Sequence, residues 1–463
     1  MVRIFRHYVS VQNVILAAID VAILYLAVYA GLYFRWTNFH MPSSAVTTHL
    51  PDATLFVFVI VTMMFATGLY RRHVQRDWAA ILARLTVSFG LALVVLALVF
   101  YMLPFFELWR SALVLAIGLA MIGIMVVHLL FLSAIDLQAL KRQILVLGAG
   151  EKAARIEVLE RQDLSRGSFR CVGYLQVNSG PVRIADSRLV TGLNRLSDYV
   201  KRHDIDEIVV AIDDRRGQMP VQSLLECRLN GITITDFLSF HERETGRVNL
   251  EGLYPSWLIF SDGRDHRFAT VLIKRFFDLA ISAVFLAFTS PLILLTAIAI
   301  KLDSRGPLFY RQQRVGQGGA PFMLLKFRSM RDDAEIDGTP QWAGRDDPRV
   351  TRVGAFIRRT RIDEIPQIFN VIKGDMSLVG PRPERPFFVN QLRREIPYYL
   401  ERHRIKPGIT GWAQINYQYT ATITDTTVKT EYDLYYVKNC SLFLDLIIVL
   451  QTLRVVLWPQ GVR

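Results

Sequence analysis

The chain is poor in cysteine and in lysine. Its 463 residues include only three cysteines, Cys171, Cys227 and Cys440, too few and too scattered for a disulfide framework or a cysteine metal site. The polar segments are therefore expected to face a reducing compartment. Only ten of the 54 basic residues are lysine, and the arginine excess favours partners that carry phosphate or carboxylate groups. No lysine has a tyrosine four places earlier, so the Tyr-x-x-x-Lys pair that nucleotide-sugar dehydratases and epimerases use beside NAD is absent. Biased tracts are few, and an aromatic content of 11% excludes a disordered chain. The net charge of +13 is read as serving phosphates and lipid headgroups, with no nucleic-acid partner expected.

What the chain has in abundance is apolar sequence. A hydrophobic fraction of 52% and a mean hydropathy of +0.27 exceed the range of a wholly cytosolic enzyme. Four apolar runs, 14–34, 53–70, 85–103 and 111–135, fill the first third of the chain. At about 1.5 Å per residue each crosses about 30 Å of hydrocarbon, so a four-helix transmembrane bundle is predicted over 1–140. The first run is too long for a signal-peptide core and is read as retained. Asp20 and His128 stand inside the runs, either as functional intramembrane groups or as hydrogen-bonding partners within the bundle. Arg3 and Arg6, then Arg71, Arg72, Arg76 and Arg84, then Lys141 and Arg142 flank one side, against Arg35 and Arg110 on the other. The positive-inside rule then places both ends of the bundle in the cytoplasm.

From Lys141 the pattern changes to alternating strands and helices, which predicts a Rossmann-like α/β domain over 141–262. Gly148, Gly150 and Ala154 follow its first strand as a dinucleotide fingerprint would, although alanine stands at the third glycine place. The second strand ends in Gln176 rather than an acid that would hold a ribose hydroxyl. Two readings stay open: a nucleotide site, or a tight turn that packs a helix on the sheet.

A fifth apolar run, 279–300, carries Ser290 and Pro291 at its middle and basic residues on both flanks, Lys274 and Arg275 before it and Lys301 and Arg305 after it. Proline removes a helix hydrogen bond, and like charge at both ends favours one side of the membrane. A re-entrant helix-break-helix over about 276–301 is predicted, with a plain fifth span as the alternative. The last apolar stretch, 442–458, contains Asp445, Gln451 and Arg454 and reads as an interfacial helix or as a core helix of the final domain.

Between Lys301 and Asp363 stand 13 Lys or Arg against 8 acidic residues. Some of these cations, Arg358 and Arg359 among them, are expected to hold headgroups. Asp363 and Glu364 form an adjacent carboxylate pair amid Arg359 and Arg361. The pair is either part of a salt-bridge network or a reactive dyad. In the second case one carboxylate attacks phosphorus, and its neighbour helps hold Mg²⁺ against the phosphate charge.

Residues 270–463 closely resemble the bacterial sugar transferase family, the monotopic phosphoglycosyl transferases. The resemblance rests on the apolar segment broken by Ser290 and Pro291, the RVG and KFRSM stretches, the Asp363 and Glu364 dyad, the GPRP turn and the PGITGWAQ stretch, in one order. The whole arrangement is similar to the large members that start exopolysaccharide repeat units on a polyprenyl carrier. The stretch LYPSWLIFSDG, residues 253–263, is similar to a subgroup of exosortase-type systems.

The resemblance implies an α/β monotopic catalytic domain over 263–463, at the inner membrane of a bacterium with its soluble parts facing the cytoplasm. It implies that Asp363 takes a sugar phosphate from a UDP-sugar, expels UMP and yields the adduct to undecaprenyl phosphate. Glu364 would bind Mg²⁺. Lys326, Arg328, Arg382 and Arg314 would hold substrate phosphates, and Ser290 and Pro291 would shape the re-entrant hairpin among membrane lipids. It also allows a homodimer. A membrane-anchored dehydratase or epimerase, or a scaffold that senses nucleotide sugars, are the rival readings.

Overall fold

The computed structural model describes residues 2–4, 7–9, 11–39, 49–71, 74, 77–103, 105–106, 108–134, 141–161, 169–177, 181–190, 196–214, 219–253, 268–331, 349–417 and 422–458. They form two compact units, Met1–Asn249 and Leu250–Arg463. The boundary expected at 262, and the LYPSWLIFSDG stretch beyond Leu253, lie outside the described residues.

The first unit opens with a short antiparallel pair, β1 (Val2–Ile4) and β2 (His7–Val9). Four apolar helices follow: α1 (Val11–Phe39), α2 (Leu50–Ala66), α3 (Trp78–Met102) and α4 (Arg110–Ala134). Helix α1 packs on α2 and α4, and α3 on α2 and α4, so the four close into a bundle. Ala112, Ala116 and Ala120 recur every four residues on the buried face of α4, where small side chains let helices approach closely without a hydrophobic drive from water. Of the four, α1, α3 and α4 are long and apolar enough to cross a membrane. The second predicted span is shorter than read, because α2 stops at Ala66. Gly68 there has φ +77°, and buried Arg84 donates to the carbonyls of Thr67 at 2.6 Å and Gly68 at 3.4 Å. This arginine, read from sequence as an orientation signal, caps a helix end. Asp20 is fully buried and accepts from Tyr70 Oη at 2.9 Å, with His128 Nε2 at 3.0 Å. The intramembrane acid and histidine thus meet each other inside the bundle.

The α/β part contains β3 (Arg142–Leu147), α5 (Glu151–Arg161), β4 (Phe169–Leu175), β5 (Leu189–Val190), α6 (Leu196–Arg202), β6 (Glu207–Val210), α7 (Val221–Leu229), β7 (Thr233–Asp236) and α8 (Phe237–Thr245). The strands form one parallel sheet in the order β5-β4-β3-β6-β7. Residues 144–147 of β3 are buried on both faces of the sheet, which explains why they form an unbroken apolar run. Ile144 and Val146 pack with Ile156 of α5 and Phe240 of α8, while Leu145 and Leu147 pack with Val200 of α6 and Leu224 of α7. Cys171 and Cys227 are buried in this core, and burial pushes the Cys171 thiol up to about 12.

The second unit begins, among the described helices, with α9 (Phe268–Asp303), also long and apolar enough to cross a membrane. Where a break was expected, the helix continues through Pro291. Proline cannot donate to the carbonyl four residues back, which is that of Ala287, and Ser290 Oγ donates to this carbonyl instead at 2.9 Å. Both ends of α9 are fastened to the same unit. Asp278 is buried and accepts from Ser377 Oγ at 3.1 Å and Leu378 N at 3.2 Å. At the other end Asp303 accepts from Val353 N at 3.0 Å, and Ile300 packs with Phe327 and Ile357. Between these anchors Phe285, Phe288, Leu294 and Leu295 are exposed.

A hairpin of β8 (Phe309–Val315) and β9 (Pro321–Phe327) follows, then α10 (Arg352–Arg359), a tight turn over Ile362–Glu364 and α11 (Gln367–Lys373). Strand β10 (Ser377–Val379) runs parallel to β11 (Gly408–Thr410), with α12 (Pro386–Glu395) between them and α13 (Trp412–Asn416), α14 (Ile423–Asn439) and α15 (Leu442–Leu457) after. Both charges of α15 point into the unit: Asp445 accepts from Lys274 Nζ at 2.6 Å and Arg454 donates to Ile415 O at 2.6 Å. That is the core-helix alternative, with Val456 and Leu457 left on an apolar outer face.

Candidate active site

The dyad sits on the turn Ile362–Glu364, entered through Arg361 in the left-handed region at φ +60°. A non-glycine residue there costs about 1 kcal/mol, and such strain concentrates at functional sites. The turn is held by Glu364 N donating to Arg361 O at 3.2 Å and Ile365 N to Ile362 O at 3.2 Å, and Pro366 then starts α11.

The two carboxylates have different surroundings. Glu364 Oε1 receives Lys326 Nζ at 2.9 Å and Arg382 at 2.8 Å, with Arg361 at 3.7 Å. Burial alone would raise its pKa, but Arg382, Lys326 and Arg361 together hold the carboxyl well below the usual carboxylate range. Asp363 is 8% exposed and its Oδ1 is buried without a hydrogen-bond partner. Burial, helped by the charge of Glu364, raises its pKa against the opposing effect of Lys326, Arg361 and Arg358. The salt-bridge network foreseen for the pair therefore takes Glu364 and leaves Asp363 out.

Each cation arrives from a different element. Lys326 lies near the end of β9, opposite Tyr310 of β8. Arg382 follows β10 on the GPRP turn, and that turn is gripped by glycines. A Cβ on Gly408 would lie 2.1 Å from Gly380 N, and one on Gly411 would lie 2.3 Å from Gly380 O. The PGITG stretch can pack against the turn only because these positions lack side chains. Arg314 donates to Pro383 O at 3.0 Å and lies 3.6 Å from Glu384, so it braces the residues after Arg382. Arg328 is placed differently from Lys326, although both belong to KFRSM. The ladder ends at Phe327, and Arg328 turns to the loop after α9, donating to Ser304 O, Ser304 Oγ and Arg305 O, each at 2.8 Å. Ser290 and Pro291 lie within α9.

Sequence reasoning passed over Arg402 and Asp433. They form a buried pair at 2.7 Å, and Arg402 donates to Arg382 O at 3.0 Å. Neither residue stands in a motif that signals a site, so no pattern could have singled them out.

In the α/β part, Gly148 and Gly150 do form the turn before α5. The first two amides of that helix are taken by the chain itself: Glu151 N donates to Asp213 Oδ2 at 2.8 Å and Lys152 N to Asp213 Oδ1 at 3.2 Å. Ala154 packs against the sheet core.

The site thus pairs a buried carboxylate oxygen without a partner with a second carboxylate held by cations, on a unit whose first described helix is long and apolar enough to cross a membrane. Comparison with known proteins then gives the family. Residues 269–459 match the family described as Bacterial sugar transferase. The chain is 45% identical over 252 residues to a UDP-N-acetylgalactosamine-undecaprenyl-phosphate N-acetylgalactosaminephosphotransferase of Aeromonas hydrophila, covering 54% of this chain and 58% of that protein. It is 36% identical over 323 residues to an undecaprenyl-phosphate glucose phosphotransferase of Komagataeibacter xylinus, covering 68% and 59%. It is 44% identical over 188 residues to a UDP-glucose:undecaprenyl-phosphate glucose-1-phosphate transferase of Caulobacter vibrioides, covering 40% and 70%. The chain belongs to the bacterial sugar transferase family. It spans a little under three fifths of the length of the first two relatives.

Proposed function

We propose that this protein transfers a sugar 1-phosphate from a UDP-sugar to undecaprenyl phosphate, releases UMP, and passes through an aspartyl phospho-sugar on Asp363, as the first membrane step of exopolysaccharide repeat-unit assembly. The observation that carries the reading is the unequal dyad, with Glu364 neutralised by three cations and Asp363 buried beside them with Oδ1 unpartnered.

In the first step an Asp363 carboxylate oxygen attacks the phosphorus that bears the sugar. An acyl phosphate bond forms, the pyrophosphate P–O bond breaks, and UMP leaves with its electron pair. In the second, a phosphate oxygen of undecaprenyl phosphate attacks the same phosphorus, the acyl phosphate bond breaks, and the free carboxylate returns. A raised pKa makes Asp363 the better nucleophile of the two acids whenever it is ionised. Lys326, Arg361 and Arg382 supply the positive charge that a pyrophosphate needs as its oxygens gain charge.

A magnesium ion suits this donor set. No group of three or more acidic, histidine or cysteine side chains fit to hold a metal occurs among the described residues. Mg²⁺ commonly takes one or two carboxylates and completes its shell with water and substrate phosphates. Glu364 is the side chain that would hold it, with the unpartnered Asp363 Oδ1 beside it, and when bound it would neutralise pyrophosphate charge.

The α9 helix is read as re-entrant. Asp278 and Asp303 are about 38 Å apart along a straight helix, yet both are tied to the unit that carries the dyad. On this reading Pro291, although it lies inside a continuous helix, is the point at which the chain turns back in the membrane, and Asp363 then lies at the cytoplasmic leaflet of the inner membrane. The parallel sheet order supports a Rossmann-like middle domain, within a division into 1–140, 141–262 and 263–463. The decisive experiment measures nucleoside monophosphate release across a panel of UDP-sugars with undecaprenyl phosphate and Mg²⁺, and maps any sugar phosphate attached to the Asp363 peptide. Release that requires all components at once, with no adduct on quenching, would overturn the covalent route.

A further inference from the structure

We propose that Arg402 and Asp433 are positioning residues that set the reach of Arg382; this rests on the reaction proposed above. Arg382 meets Glu364 through its guanidinium, but its main chain is held from behind. Arg402 donates to Arg382 O at 3.0 Å, and the same Arg402 nitrogen lies 2.7 Å from Asp433 Oδ2. Its other terminal nitrogen donates to Tyr399 Oη at 2.8 Å, and the guanidinium lies 5.2 Å from the Tyr399 ring centroid. Arg402 and Asp433 are 6% and 3% exposed, so neither is a surface charge that adopts whatever partner drifts near.

A buried ion pair is a weak source of stability, because desolvation of both charges offsets most of their attraction. What this pair does is end on the carbonyl of Arg382 itself, in the GPRP turn. The turn has a proline on each side of Arg382, at Pro381 and Pro383, so its backbone has few alternative shapes. A fixed carbonyl on so stiff a turn fixes the direction in which the arginine side chain leaves. The line of force therefore runs from Asp433 on α14 through Arg402 to Arg382 and on to Glu364, with each link a bond of 3.0 Å or less.

The test is a double-mutant cycle that compares Arg402→Met/Asp433→Leu with Arg382→Ala. Removing both charges together avoids leaving one buried and unpaired, and such replacements keep folds intact. The paired variant is expected to lose at least about tenfold in kcat/KM for nucleoside monophosphate release, the worth of one well-placed hydrogen bond to a charged group. In the Arg382→Ala background the same change should cost nothing further. Independent losses that multiply would overturn the proposal. A second arm needs no turnover: reaction of Arg382 with phenylglyoxal, read by peptide mass spectrometry, should speed up in the paired variant and stay slow in the unaltered chain. Unchanged Arg382 reactivity also overturns it. A chain that releases no nucleoside monophosphate, yet shows the reactivity change, refutes the proposed reaction and leaves the positioning intact.

A different observation carries a second inference: the structure assigns Asp213 as an internal anion that closes the nucleotide position of the α/β part. In a dinucleotide-binding sheet the pyrophosphate sits on the amides that begin the first helix, at the switch point between the first strand and the strand on its other side. Here β3 and β6 are those strands, and Asp213 follows β6. Its two oxygens accept from Glu151 N and Lys152 N at 2.8 and 3.2 Å, while Lys152 Nζ donates to Ile212 O at 3.1 Å and Asp213 O at 3.3 Å. A Cβ on Gly150 would lie 1.9 Å from Asp213 Oδ2. The glycine is needed for the approach of a carboxylate from the same chain, and a pyrophosphate would have to share its place with a like charge. The residues do not fit a dinucleotide.

Amide hydrogen exchange on the full chain in nanodiscs tests this. Glu151 and Lys152 amides should be protected in the unaltered chain, unaffected by millimolar NAD, and should exchange about tenfold faster in Asp213→Ala, as expected for loss of one charge-assisted hydrogen bond. Equal protection in the variant, or NAD-dependent protection of residues 148–152 in the unaltered chain, would overturn it.

Discussion

Lys326 Nζ and Arg382 reach the same oxygen of Glu364, at 2.9 and 2.8 Å, from a hairpin strand and from a proline-flanked turn. Two cations that converge on one carboxylate oxygen make Glu364 the electrostatic centre of the site and leave its neighbour Asp363 with an unpartnered, buried oxygen.

The first consequence is a stability effect opposite in sign to the activity effect. The folded-state pKa of Asp363 is raised, so ionising it at neutral pH opposes folding, and the folded state gains stability as pH falls through that raised value. Asp363→Asn should abolish transfer and adduct formation while leaving the melting temperature equal or higher, as calorimetry of the purified variant will show.

Glu364 should behave in the reverse way. Its folded-state pKa is lowered by Arg382, Lys326 and Arg361, with burial opposing, so its contribution is present above the ordinary carboxylate pKa and is lost as pH falls toward the lowered one. Glu364→Gln leaves Lys326 and Arg382 without their counter-charge and is expected to cost about 3 kcal/mol, the range for removing one partner of a buried pair. Denaturant unfolding at neutral pH checks the size. The cost should shrink on acidification.

The same shifts set the pH profile of transfer. On the proposed route only the ionised Asp363 attacks phosphorus, and its raised pKa places the acid limb above the position an ordinary aspartate would give. Rate measured from pH 4 upward should rise with one ionisation and level off, and the limb should move to lower pH when Arg or Lys is introduced beside Asp363.

The α9 helix gives a topological prediction. Cys440 is partly exposed in the second unit, whereas Cys171 and Cys227 are buried in the first. If Pro291 turns the helix back, a membrane-impermeant maleimide added outside intact spheroplasts should leave Cys440 unmodified and label it after lysis. Labelling from outside would show a true span.

Much of this was legible in sequence, for reasons particular to each element. The parallel sheet of the α/β part follows from apolar runs such as that of β3, which must be buried on both faces. The dyad stood out as two adjacent carboxylates amid arginines, whereas Lys326 was marked only by the family resemblance of the KFRSM stretch. The α2 helix ends at Ala66, and Arg84, 17 residues beyond Thr67, meets the carbonyls of Thr67 and Gly68 just after it, a contact that spacing along one helix does not reveal. Arg328 parted from Lys326 because the strand ends between them.

By itself, then, the order of residues determined periodicity, charge balance and the kinds of group available: apolar helices, a strand-helix alternation, an acidic pair amid arginines. Which oxygen each cation meets was decided only when distant segments came together. Asp213 closing the α5 amides, Asp433 and Arg402 bracing Arg382, and Asp363 left apart from the ion pairs of Glu364 all depend on contacts across long stretches of chain. Local sequence carries spacing along one strand or helix, whereas the electrostatics of a buried site follow inverse distance in space, and only tertiary packing sets those distances.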